Sequence, residues 1–350
     1  MIDQSAILKN MDLSEFARRM PKVELHVHLE GSILPHTLIK LAQRNHVSLP
    51  ADNEAGLVDL YKFRTFDQFL ESYVLITSCL RSPDDYRLIA YEYGSECARQ
   101  NIRYAELTFT ILTNTRLTNL SWQEILLGLN AGREQAHADF GVWWQWVFDI
   151  VRNLPDTQRP VLDIALAARE LGVIALGLGG SEAGFPPELF VDTFERAKNE
   201  HLHRVPHAGE ISGPQSVWSA IKLLHAERIG HGVRSIEDPA LIEYLKSHCL
   251  PLEICPTSNI CLKVYPDYAH HPLRKLWDAG LVLTVGSDDP PMFGTDLNHE
   301  YQVLVEEFGF TQVELERISI NAVHASFLGK KEKQKLDGEF RDEFVRLSKI

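Results

Sequence analysis

Cysteine is scarce in this chain of 350 residues: there are five, with no framework spacing and no CxxC pair. A disulfide-stapled scaffold and a CxxC-type zinc site are excluded, and a reducing compartment, the cytoplasm, is the expected location. Long apolar runs are missing too. No stretch reaches the ~18 residues that a membrane span needs, and the opening MIDQSAILKNMDLSEFARRM has neither an apolar core segment nor a small-residue cleavage site. Neither a membrane-spanning nor an exported protein is expected. Positive charge is the third shortage: 35 basic against 48 acidic residues leave a net charge of −13, which repels a phosphate backbone, so no nucleic-acid partner is expected. No low-complexity tract or Pro/Gly/Ser linker divides the chain, and residues 1–350 are expected to form one domain. Against these shortages, 45% of residues are hydrophobic, enough for a substantial core, and histidine is plentiful at 15.

Eight short apolar runs punctuate the sequence, at 23–28, 103–109, 144–150, 173–178, 204–208, 228–230, 252–255 and 283–287. Amphipathic stretches with apolar residues at three and four spacing lie between them, among them PDDYRLIAYEYGSECARQ, WQEILLGLNAGREQAHADF, PELFVDTFERAKNEH and PQSVWSAIKLLHAE. Strand alternating with helix implies a parallel sheet, and eight such units predict a closed (β/α)8 TIM barrel rather than an open doubly wound sheet. Residues 32–102 exceed one crossover and predict a helical insertion after the first strand, with Phe63, Phe66 and Phe69 as a lid over the barrel mouth. The charged tail KKEKQKLDGEFRDEF predicts a solvated terminal helix. Trp143, Trp144 and Trp146 fit a strand packed on both faces.

Polar residues gather where strands end, which in a barrel is the catalytic face. His26 and His28 in ELHVHLEG are two apart on a strand and both face the barrel interior. An isolated HxH pair is equally well two hydrogen-bonded core histidines. Its company argues for a metal: RVPHAGE and RIGHG each end a strand in histidine, and VGSDDP ends the eighth in adjacent carboxylates. Three imidazoles and a carboxylate favour zinc without excluding iron, cobalt or manganese. The fourth strand, VIALGLGG, holds no lysine or carboxylate to bridge two metals, so a single ion is expected. Glu210, three residues after His207, is a candidate proton donor if burial raises its pKa; otherwise it is a charge at a helix N-terminus. His231 is one histidine more than the ligand set requires and is a candidate to hold and deprotonate a water on the metal. GLGG lacks dinucleotide-fingerprint spacing, and Cys249, Cys255 and Cys261, six apart, do not form a thiolate site.

With HVHLEGS, HAGE, IGHG and SDDP in this order, the chain resembles the adenosine deaminase family of metal-dependent hydrolases from about Met20 to Leu328. That resemblance implies one zinc per chain on His26, His28, His207 and Asp288, with Glu210 as general acid toward purine N1. It places His231 beside the attacking hydroxide, Asp289 at N7, the Gly180 backbone at N3 and Glu30 toward the ribose and its 5′ side. The implied reaction replaces the 6-amino group of an adenine nucleoside, a small-molecule substrate, with oxygen and releases ammonia. RVPHAGE, GLGGSEAGFPPE and SDDPPMFGTDLN look most like the aminodeoxyfutalosine deaminase branch, which implies a role in menaquinone biosynthesis. Adenine deaminase and a catalytically silent nucleoside-binding barrel are the alternatives. Arg64 is a candidate to meet a longer 5′ group, with a surface arginine as the alternative.

Overall fold

The computed structural model describes residues 12–63 and 65–349, so Arg64 lies outside the described residues. Eight parallel strands follow one another in sequence order: β1 (Lys22–His28), β2 (Ile102–Phe109), β3 (Trp143–Val151), β4 (Val173–Gly179), β5 (His203–Ala208), β6 (Ile229–His231), β7 (Leu252–Ile254) and β8 (Leu283–Val285). The ring closes at Asp288, in the motif SDD three residues past the end of β8. The His28 N–H donates to the Asp288 carbonyl at 2.8 Å, and the Asp288 N–H donates to the His26 carbonyl at 3.1 Å. The barrel expected from alternating strand and helix is therefore present, and one of its seams is made by a carboxylate-bearing residue.

Every residue of β1 is buried, as parallel strands covered on both faces require. Val23, Leu25 and Val27 join the main apolar core, while Glu24, His26 and His28 occupy the alternate face. The strands differ in length around the ring. β1 to β4 run seven to nine residues, whereas β6, β7 and β8 run three each. The short strands give out early into turns: His231, at the end of β6, has φ +59°, and Asp288 has φ +64°. Such left-handed residues reverse the chain direction at a cost that the surrounding packing must offset.

The helices Pro83–Arg99 and Trp122–Phe140 each start on a serine, Ser82 or Ser121, in a complete capping box, which satisfies N-terminal N–H groups. The expected insertion contains the helices Pro35–Arg44, Glu54–Leu57, Phe66–Thr77 and Pro83–Arg99. Two local expectations are corrected. PELF is a 3-10 turn (Pro187–Phe190) and the α-helix begins only at Val191, because proline at the first position fits a tight turn. The terminal helix Lys330–Leu347 is not solvated all round: Phe340, Phe344 and Leu347 are buried, and Phe344 packs on Phe16 with ring centroids 6.3 Å apart. Its charges mask a sparse apolar stripe at four and three spacing. Among the described residues, no helix is long and apolar enough to cross a membrane.

Candidate metal and catalytic site

The carboxyl ends of the strands surround a cavity of about 300 Å³. At its floor, one ligand atom each from His26, His28, His207 and Asp288 lie within 4.8 Å of one another. His26 and His28 reach it because they are two apart on β1; His207 comes from β5, and Asp288 is turned inward by its left-handed backbone. Asp288 Oδ1 lies 3.5 Å from His26 Nε2 and 3.4 Å from His28 Nε2.

The donor set fits a divalent cation. His26 Nδ1 is engaged by Glu253 Oε2 at 3.0 Å, while the buried Nε2, without a hydrogen-bond partner among the described residues, is aimed at the cluster. Asp288 Oδ2 accepts from the Ser258 hydroxyl at 2.6 Å, so its other oxygen is the one presented. Burial pushes His28 down to about 4 and His207 well below its ordinary range, so both rings are neutral, as a metal ligand must be. Burial also opposes a charge on His26, but Asp288 and Glu253 outweigh it and push that ring up to about 10. A site in which one ring holds a proton between two carboxylates is set to exchange that proton for a cation. Beneath it, Arg228 donates to Glu253 Oε1 and to Glu106 Oε2, each at 2.5 Å, and holds the carboxylate that orients His26.

Glu210, His231 and Asp289 stand around this quartet, all nearly fully buried. Glu210 is driven well above the usual carboxylate range by burial, with the Asp288 and Glu182 charges adding to it, so it carries a proton near neutrality. Its Oε1 has no hydrogen-bond partner among the described residues and lies 3.7 Å from His231 Nε2. The helix-terminus alternative is set aside by position: the nearest helix is Pro214–Leu223, with Gly213 as its cap. Asp289 is likewise raised, by burial first and then by the adjacent Asp288 and by Glu30. Its side chain lies across Gly31, where a Cβ would come within 1.7 Å of Asp289 Oδ1; no other residue type leaves room.

Sequence reasoning did not single out Glu182 or Asp149. Glu182 fastens the Glu210 loop: Oε1 accepts from Gly209 N–H (2.8 Å) and Ser216 Oγ (2.7 Å). Oε2 accepts from the N–H groups of Glu210 (3.0 Å), Ile211 (2.7 Å) and Ser212 (2.8 Å). Asp149, near the carboxyl end of β3, lines the cavity, and burial pushes it up to about 8 despite nearby Arg152. Its carboxyl overlies Gly177 and Gly179, where a Cβ would come within 2.2 Å of an Asp149 oxygen. Two glycines on one face of a strand were the available signal.

The expected substrate contacts divide. Gly180, with φ +86°, lines the cavity as expected, and the neighbouring Ser181 N–H is taken by Asn153 Oδ1 at 2.9 Å. Phe66 also lines it, together with Phe69, Leu70, Tyr73 and Val74, one face of the helix Phe66–Thr77. Phe63 does not: it precedes the helix and packs one layer back, 5.5 Å from the Phe69 ring and 6.2 Å from that of Phe293. Glu30 is also absent from the wall. Its Oε1 accepts from Thr110 N–H (3.0 Å), Thr110 Oγ1 (2.6 Å) and Asn114 Nδ2 (2.7 Å), behind Thr110, which takes its place at the surface.

Residues 21–342 match the family model of adenosine deaminase. An aminodeoxyfutalosine deaminase from Streptomyces avermitilis is 41% identical over 94% of this chain and 92% of its own length. An adenine deaminase from Acinetobacter baylyi is 36% identical, covering 93% of this chain and 97% of the relative. The solved structure of an amidohydrolase from Burkholderia ambifaria, with bound Zn, superposes with a TM-score of 0.89 at 27% identity, covering 99% and 96% of the two chains.

Proposed function

The chain belongs to the adenosine deaminase family and is a deaminase of adenine-containing small molecules; from that premise we propose that it is a zinc enzyme acting on adenine nucleosides extended at 5′, of which 6-amino-6-deoxyfutalosine is the best fit. The observation that carries this reading is a polar, proton-bearing floor beneath an apolar mouth. Phe66, Phe69, Leu70, Val74, Leu154 and Leu262 offer an aryl group on the 5′ arm a surface to bury against, and free adenine has no such group.

A single zinc on His26, His28, His207 and Asp288 would supply Lewis acidity, lowering the pKa of water from 15.7 toward about 7. The remaining work falls to side chains. Glu210, protonated near neutrality, donates to purine N1 and makes C6 electrophilic. Asp289, also held protonated, donates to N7, and the Gly180 N–H donates to N3. His231 Nε2, 3.7 Å from Glu210 Oε1 and 3.9 Å from Asp288 Oδ2, holds the attacking water. Water gives its oxygen to C6; the Glu210 proton ends on N1, one water proton replaces it on Glu210, and the other goes to the departing amine, which leaves as ammonia.

The position of Glu30 favours a second reading, free adenine as substrate, because its carboxylate is held behind Thr110 and not turned toward a ribose. Ammonia release from zinc-loaded protein, with 6-amino-6-deoxyfutalosine, adenosine and adenine at equal concentration, tests both. The proposal expects the 5′-extended nucleoside to be fastest; fastest release from adenine would replace it with the second reading, and no release from any of the three would end both.

A further inference from the structure

A chain of hydrogen bonds runs from the main chain to the far side of His231. The Leu273 N–H donates to His271 Nδ1 at 3.2 Å; His271 Nε2 lies 3.0 Å from Asn259 Oδ1; Asn259 Nδ2 lies 3.3 Å from His231 Nδ1. His271 and Asn259 are both buried, His271 among the rings of Tyr265 and Phe308. An imidazole ring and a side-chain amide can each be turned round, so either alone would leave the direction of the chain open. A backbone N–H cannot. Because it donates, His271 Nδ1 is an acceptor, and burial holds the ring neutral, with its affinity for a second proton pushed down to about 3. The neutral ring therefore carries its proton on Nε2 and needs an acceptor, which must be the Asn259 carbonyl oxygen. That sets the Asn259 amide nitrogen toward His231 as donor, and His231 Nδ1 as acceptor.

We infer that Asn259 and His271 are positioning residues that lock His231 as the Nε2–H tautomer, so that it offers the attacking water a hydrogen-bond donor and not a base. The near side of the ring agrees: Nε2 faces Asp288 Oδ2 at 3.9 Å, an ionised carboxylate beside which an N–H is favoured over a lone pair. The consequence is a division of labour. The expectation that His231 deprotonates the water is replaced: its Nε2–H fixes the oxygen's orientation, and proton movement is left to Glu210. The role toward water rests on the deaminase reading, whereas the tautomer does not depend on turnover.

The test is a ¹⁵N spectrum of histidine-labelled, zinc-loaded protein, with the His231 ring assigned by loss of its signals in His231→Gln. The wild-type ring should show a protonated Nε2 and an unprotonated Nδ1. Asn259→Asp keeps the acceptor for His271 but replaces the donor toward His231; it should move the proton to Nδ1 and lower kcat about 10- to 100-fold, with KM little changed. His271→Phe should leave His231 a mixture of tautomers with an intermediate loss of kcat. A protonated Nδ1 in the wild type would overturn the inference, and the wild-type spectrum needs no variant to fold. An Asn259→Asp protein with wild-type kcat and a shifted tautomer would retain the lock and remove its catalytic meaning. If no adenine derivative is turned over, the deaminase reading fails while the tautomer assignment stands or falls by its own spectrum.

Discussion

The floor and the mouth of the cavity are built by opposite means. On the floor, polar side chains are held by further polar side chains: His26 by Glu253, Asp288 by Ser258, His231 by Asn259, and the Glu210 loop by Glu182. Each partner removes a degree of freedom, so the reacting geometry is paid for during folding and not at the moment of reaction. At the mouth, Phe66, Phe69, Leu70, Tyr73 and Val74 come from one helix of the insertion, and their contacts are mainly apolar and non-directional. The difference separates what is done from what it is done to. On the proposed function, floor residues set the chemistry and tolerate no change of donor or acceptor, whereas mouth residues select the 5′ substituent and tolerate change of shape.

Substitutions should respect that boundary. Glu210→Gln removes the proposed proton donor while keeping the side-chain volume, and kcat should fall about 10²- to 10⁴-fold with KM nearly constant, measured by steady-state deamination. A comparable effect on KM would place Glu210 among binding groups and blur the boundary. The second effect concerns the floor alone. Because His26 holds a proton up to a pH of about 10 without metal, zinc binding displaces it, and zinc affinity should rise about tenfold per pH unit between pH 6 and 8 in a chelator competition. The sign follows from the raised pKa: lower pH favours the protonated, metal-free ring. A flat profile would mean that His26 enters the site already neutral.

Glu182→Gln touches no substrate atom, yet it loses charge-assisted acceptance of the loop N–H groups; kcat should fall about 10- to 100-fold, with unchanged selectivity among substrates. Phe66→Ala should do the reverse, raising KM for an aryl-bearing 5′ substrate about tenfold and leaving adenine turnover unaffected. If the Phe66 variant lowered kcat on adenine as well, the lid would belong to the catalytic machinery.

The floor was legible in the sequence because its candidate ligands sit in contiguous strand-end motifs: HVH places two imidazoles on one face, and SDD places a carboxylate where a strand stops. The residues that hold the floor were not legible. Asp149, Glu182, Asn259 and His271 act across the ring on other strands' residues, and nothing in their own neighbourhood marks them. Only the alternating Gly177 and Gly179 hinted that a neighbour's side chain needed room. Phe63, Phe66 and Phe69 are evenly spaced, but the helix begins at Phe66, so the periodicity that aims Phe66 and Phe69 inward does not extend to Phe63. Glu30 was expected at the ribose; Thr110 and Asn114, about 80 residues away, turn its carboxylate aside.

The most direct test of the division between floor and mouth is the ratio of kcat/KM for 6-amino-6-deoxyfutalosine to that for adenine, in zinc-loaded wild-type protein and in Phe66→Ala. A ratio well above one that drops about tenfold in the variant is the result predicted. A ratio below one, or one that Phe66→Ala leaves unmoved, would contradict it.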